Sequence, residues 1–285
     1  MADDQDQPAM DDLEPPEIAE KATGFLADKV TLENPKLIVL ALLAGVYIAF
    51  GGLFFLVVIA ADVAAPFGLL QLLGGIAFSL GLVLVVVGGA ELFTGNTLMV
   101  GLWAQRVHRP PAILRAWAWA WCGNFLGSVA VVVLFFLAQG HEAGESQVGL
   151  AALETAEGKT ALPFWATLSS GILANMLVCL AVWLALSART TPGKIAAIVL
   201  PIAAFVAAGL EHSVANMSLI PMGLIVKLLA GDGFWLAIDA TAADFPTLTW
   251  VWMLWNILWA TLGNILGGAI IALGYWVAYS REAED

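Results

Sequence analysis

The sequence predicts an all-α membrane protein of six transmembrane helices in an inverted repeat, two of them interrupted. Three observations carry the prediction. The 285 residues are 61% hydrophobic and 12% charged, with a mean hydropathy of +0.89, too little charge to cover a soluble domain of this length. The apolar residues fall in blocks of about 20, the length that crosses a bilayer as a helix. The eleven Lys and Arg divide along the chain in a way that orients those blocks.

Residues 1–16 read as an acidic, solvated, disordered tail. The first twenty residues hold Asp3, Asp4, Asp6, Asp11, Asp12, Glu14, Glu17 and Glu20 and no Lys or Arg, a composition that cannot support a core. It also lacks the basic start of a secretory signal. Residues 17–34 read as an amphipathic helix with Ile18, Ala22, Phe25 and Leu26 on one face, suited to lying on the membrane surface. Residues 35–280 form the six-span domain, with spans at roughly 37–61, 67–89, 112–138, 162–187, 195–209 and 249–279. After Gly89 and Gly209 the apolar pattern breaks, then resumes as short pieces at 97–104 and 217–230. Residues 281–285 are a short cytoplasmic tail.

Trp103, Trp117, Trp250 and Trp276 fall near span ends, where an aromatic belt sits. Trp119 and Trp255 lie deeper and read as packing residues. Cys122 and Cys179 are inside apolar spans, small packing residues and not a disulfide or metal pair. Nothing basic or patterned points to nucleic acid.

With both termini in the cytoplasm, Lys21, Lys29, Lys36, Arg106, Arg109, Arg115, Arg189, Lys194 and Arg281 lie inside. Only Lys159 and Lys227 lie outside. Cytoplasmic flanks are enriched in Lys and Arg, so this split predicts six crossings of the cell inner (plasma) membrane with both ends inside.

An internal repeat links the halves. Glu91-Leu-Phe-Thr-Gly-Asn96 and Glu211-His-Ser-Val-Ala-Asn216 share a Glu and an Asn at an offset of 120 residues. Gly123-Asn124-Phe-Leu-Gly127 matches Gly263-Asn264-Ile-Leu-Gly267 at an offset of 140, the difference fitting the loop near 231–247. Three spans per half, oppositely oriented, make an inverted repeat, and glycines four apart let helices pack closely. Non-helical backbone and ionisable groups at membrane depth occur only inside a bundle or beside a water-filled cavity. Two broken spans meeting there describe a pore or a binding site.

Gly89-Ala-Glu91-Leu-Phe-Thr94-Gly-Asn96, Gly123-Asn124-Phe-Leu-Gly127 and Gly209-Leu-Glu211-His212-Ser-Val-Ala-Asn216-Met217, in this order over about residues 35–280, resemble the formate/nitrite transporter family. The resemblance implies an aquaporin-like protomer with its own pore, assembled as a homopentamer. Aquaporins themselves match less well, since their paired Asn-Pro-Ala signatures stand here as Thr-Gly-Asn96 and Val-Ala-Asn216. It implies a substrate pathway of His212, Thr94, Asn175, Lys159 and Glu211, with Phe78, Leu92 and Phe205 as apolar constrictions and Leu82 as a further one. His212 faces the pore, Asn175 helps orient it, and Lys159 leaves its acidic loop to pair with Glu211. By the repeat, Glu91 has a lysine partner in Lys29 or Lys36. His108 and His141 fall in loops and read as surface residues.

The implied passenger is a small monovalent anion of a weak acid together with protons, with formate favoured over nitrite and hydrosulfide. Neither a cofactor nor a metal is called for, since only His212 of the three histidines is placed to ligate. The rival classes are weaker. An intramembrane serine protease needs Gly-x-Ser-Gly, and Leu168-Ser169-Ser170-Gly171 lacks the first glycine. A non-conducting scaffold needs no polar breaks at membrane depth.

Overall fold

The structure is a computed structural model that describes residues 13–60 and 65–280. The acidic tail as far as Asp12 and the tail at 281–285 lie outside the described residues.

Helix α1 spans Pro15–Val30. Prolines at its first positions lose no helical hydrogen bond there, and Glu17 Oε2 accepts from Glu14 N–H at 2.8 Å. Its buried stripe is Ile18, Ala19, Ala22, Leu26 and Val30. Ile18, Ala19 and Ala22 pack on Trp183, and Leu26 and Val30 on Leu98, Leu102 and Ile113. The expected membrane-surface helix is therefore corrected: protein covers its apolar face. Phe25 sits at the edge of the stripe, 41% exposed, with the Lys29 ammonium 4.8 Å above its ring.

The chain continues as α2 (Asn34–Ile59), α3 (Phe67–Gly88), α4 (Phe93–Asn96), a 3₁₀ turn (Thr97–Met99) and α5 (Val100–Ala104). Then come α6 (Pro110–Leu137), α7 (Gln147–Thr160), α8 (Phe164–Ser187), α9 (Thr191–Ala207), α10 (Ser213–Leu229), α11 (Asp232–Ala237) and α12 (Trp250–Tyr279). No strand occurs among the described residues. Helices α2, α3, α6, α8 and α12 are long and apolar enough to cross a membrane, and α9 and α10 are shorter apolar helices.

Two helix pairs form the frame, α2 with α6 and α8 with α12. Gly127 lies against the Leu42 carbonyl and Gly267 against the Ile172 carbonyl, so that a Cβ at either would collide with backbone. The glycine spacing read from the repeat thus sets how closely both pairs approach. Helix α10 runs through the middle, buried at nearly every position from Ser213 to Leu224.

Two helix ends place the polar groups. Beyond α3, Gly89 takes φ of +75°, and beyond α9, Gly209 takes φ of +66°, a left-handed turn that glycine alone adopts freely. Ala90–Leu92 and Leu210–His212 follow without helix, and α4 and α10 then begin.

Several loop assignments differ from expectation. Lys159 belongs to helix α7 and not to a loop. His141 is 4% exposed, stacked on Phe136 at 4.4 Å between ring centroids. Gly149 makes room for it, since a side chain there would run into Phe234 and the His141 carbonyl. Trp119 and Trp255 are exposed on the isolated chain instead of packed in it. Trp117 turns inward, its Nε1–H donating to the Asn96 carbonyl at 2.8 Å.

Candidate functional site

Each half builds the same network from the same residue types. In the first, Lys29 Nζ meets Glu91 Oε1 at 2.8 Å and Asn96 Nδ2 donates to Glu91 Oε2 at 2.9 Å. Asn124 Nδ2 donates to the carbonyls of Glu91 and Ala41, and its Oδ1 accepts from Phe93 N–H at 2.9 Å. In the second, Lys159 Nζ meets Glu211 Oε1 at 2.8 Å and Asn216 Nδ2 donates to Glu211 Oε2 at 2.7 Å. Asn264 Nδ2 donates to the carbonyls of Glu211 and Gly171, and its Oδ1 accepts from Ser213 N–H at 2.8 Å. The asparagines bind backbone groups that the absent helix leaves unpaired, which is what makes non-helical chain tolerable among apolar helices. Of the two lysines the repeat offered to Glu91, Lys29 is the partner.

Where the halves meet, His212 Nε2 lies 2.8 Å from Thr94 Oγ1. His212 is the N-cap of α10, its Nδ1 accepting from Ala215 N–H at 3.1 Å. A nitrogen that accepts carries no proton, so the ring is the neutral Nε2–H form and donates to Thr94. His212 is 2% exposed and Thr94 is fully buried.

A cavity opens on either side of this pair. One, of about 460 Å³, is lined by Lys29, Lys36, Lys194, Glu91, Leu82 and Leu92 among others. The other, of about 290 Å³, is lined by Lys159, Glu154, Glu211, Phe78 and Phe205 among others. Leu82 and Leu92 thus face the first cavity and Phe78 and Phe205 the second, while His212 and Thr94 line neither. The rings of Phe78 and Phe205 meet edge to face at 5.6 Å, and Phe205 lies 5.6 Å from the imidazole. Beside the first cavity, Lys21 donates to the Leu186 carbonyl at 2.6 Å. Burial, with Lys194 and Arg189 nearby, lowers its ammonium below the usual lysine range.

Most residues singled out in the sequence come together here, but Asn175 does not reach His212. Its Nδ2 faces Thr97 Oγ1 at 2.9 Å and the carbonyls of Asn264 at 2.6 Å and Thr94 at 3.3 Å. It holds the backbone of Thr94 and lines neither cavity. Cys179 and Thr97 crowd the same Thr94 carbonyl. The roles of Asn124, Asn264, Asn256 and Ser170 were missed. Ser170, in the string that lacks a protease glycine, accepts from Glu211 N–H at 2.9 Å. An asparagine in an apolar span is itself a signal, because it is costly there unless bonded.

Chemically, the arrangement offers an anion a lysine beside each cavity, then apolar rings, then one hydroxyl and one imidazole N–H. A charged solute loses its hydration at the rings, so a neutral one passes more easily.

The chain is similar to known proteins over most of its length. Residues 16–277 match the family model described as formate/nitrite transporter. The chain is 39% identical to the formate channel FocA of Escherichia coli over 267 residues, covering 93% of each. It is 38% identical to a probable formate transporter of Methanothermobacter thermautotrophicus, over 87% of this chain and 90% of the relative. A solved pentameric formate channel with formate bound superposes with a TM-score of 0.81 at 35% identity, over 86% of this chain and 97% of that one. The relatives named are channels and transporters. The family model matched over residues 16–277, with relatives this similar over most of both chains, shows that this chain belongs to the formate/nitrite transporter family.

Proposed function

We propose that this protein conducts formate across the cell inner membrane, one pore per protomer, with His212 and Thr94 at its centre. The single observation that carries the reading is the 2.8 Å bond between those side chains, set between two separate cavities. In this reading the chain crosses the membrane six times, and α9 and α10 together make the fifth crossing. The second, like the fifth, is interrupted where its non-helical stretch lies, and the halves run in opposite directions. Both termini face the cytoplasm, so the Lys29 cavity opens inward and the Lys159 cavity outward. A homopentamer follows from the likeness to a pentameric formate channel, and the exposed apolar residues along α2, α3, α6 and α12 supply surface for lipid and for neighbouring copies.

Lys159 draws the anion to the outer cavity, and the Phe78–Phe205 contact admits it once it takes up a proton. Formate is favoured because the relatives above handle formate. Competitive uptake in proteoliposomes tests this: labelled formate should enter faster than into empty liposomes, with unlabelled formate competing better than nitrite or hydrosulfide. Stronger competition by nitrite or hydrosulfide would reassign the substrate.

A further inference from the structure

Around the glutamate carboxylates, the two Lys–Glu networks differ at Asn256 of α12. Its Nδ2 donates both to Glu211 Oε2 at 2.8 Å and to the Lys159 carbonyl at 2.9 Å. Its Oδ1 accepts from Asn216 Nδ2 at 2.7 Å. One side chain therefore ties the backbone of Lys159 to the carboxylate that its own ammonium meets. In the first half, Glu91 Oε2 accepts only from Asn96 among the described residues. At the 140-residue offset that relates Asn124 to Asn264, the position matching Asn256 holds Ala116, fully buried and without a side-chain donor.

The fold closes a Lys–Glu pair at the same distance with alanine in that place, so the pair does not need an asparagine in order to form. An amide inside an apolar helix is costly unless it is bonded, and among the described residues the Asn256 side chain bonds only to the Lys159–Glu211–Asn216 group. We infer that Asn256 is a positioning residue for anion entry, holding the Lys159 ammonium at a set place beside the second cavity. A lysine ammonium ends a flexible four-carbon stem and moves with its counter-ion. Asn256 fixes that counter-ion and the backbone at the base of the stem. Without it, Glu211 turns more freely, wraps Lys159 more closely, and weakens the positive field that the cavity presents. This rests on the reading above, in which formate enters through that cavity.

The test measures initial formate flux against concentration in right-side-out and inverted membrane vesicles. Asn256→Leu, of similar size, removes all three bonds. The expected result is a several-fold rise in KM for entry from the Lys159 side, with KM from the Lys29 side unchanged. In a Lys159→Ala background, Asn256→Leu should add nothing further to KM. A lower Vmax from both sides with both KM values unchanged would show that Asn256 merely supports the fold, and would overturn the inference. So would a further KM rise in the Lys159→Ala background. If Asn256→Leu does not assemble, Asn256→Ser, which keeps a small donor, is measured in the same way. It should give an intermediate rise on one side only, and an equal KM on both sides would again overturn the inference. No formate flux through the wild-type protein would instead refute the proposed function itself.

Discussion

At the scale of single residues, His212 joins two tasks. Its Nδ1 caps α10 and its Nε2–H donates to Thr94, so its orientation is set by the helix that it begins. Formate has an acid strength near that of an Asp or Glu side chain, with a pKa of about 4, and is almost wholly anionic in neutral water. Crossing the Phe78–Phe205 contact as an anion costs several kcal/mol of hydration, whereas low dielectric favours the protonated form. Replacing His212 by Asn keeps a hydrogen-bonding side chain and removes the imidazole, whose ordinary pKa lies near neutral. Formate influx and internal pH, recorded together under an acid-outside gradient, should show gradient-driven uptake falling about 100-fold, the low end of what a positioned proton donor contributes. Passive anion leak should remain. Unchanged uptake with the same acidification would show that protons reach the substrate by another route. The lysines act differently: Glu211 is 1% exposed, and deleting Lys159 removes its counter-ion, at a cost of about 3–5 kcal/mol. For this reason Lys159→Ala weakens the protein as well as its transport.

At the scale of elements, the loop before α7 carries a pH dependence of its own. His141 is held between Phe136 and Phe234, and its Nδ1 has no hydrogen-bond partner among the described residues. Burial lowers its pKa below 6.5, with Glu142, 3.9 Å away, opposing in part. A histidine whose folded pKa is depressed binds its proton more readily unfolded. Its contribution to stability is therefore complete above pH 6.5 and lost as pH falls below that value. Amide exchange of residues 140–150 should accelerate between pH 7.5 and pH 5.5 relative to the rest of the chain, and His141→Phe should abolish that difference. Exchange that is independent of pH, beyond the intrinsic rate, would remove His141 as the cause. Helices α1 and α7 stand in matching places, each delivering from its last turn the lysine that meets the glutamate of its own half. The amphipathic pattern of residues 17–34 was legible as a helix, but not as one that packs on Trp183 and Ile113. Periodicity reports that a face is apolar and not what covers it.

At the scale of the whole molecule, the proposed topology has a direct test. Single cysteines introduced as Asp4→Cys and Asp244→Cys, with Cys122 and Cys179 changed to Ser, should differ in intact cells. A membrane-impermeant thiol reagent should label position 244 and spare position 4, and the reverse would invert the protein. By itself the sequence determined that the chain is helical and apolar, where its long helices lie, and which Glu, Asn, Thr and His stand at their polar ends. Those features rest on composition, span length and repeat spacing, which act locally along the chain. Only the tertiary structure decided that Lys29 and not Lys36 meets Glu91, that Asn175 holds Thr94 and not His212, and that Asn256 joins one network and has no twin in the other. A hydrogen bond is made at about 3 Å by groups far apart in sequence. Which groups reach that distance depends on how closely the glycines of α6 and α12 let their partner helices approach.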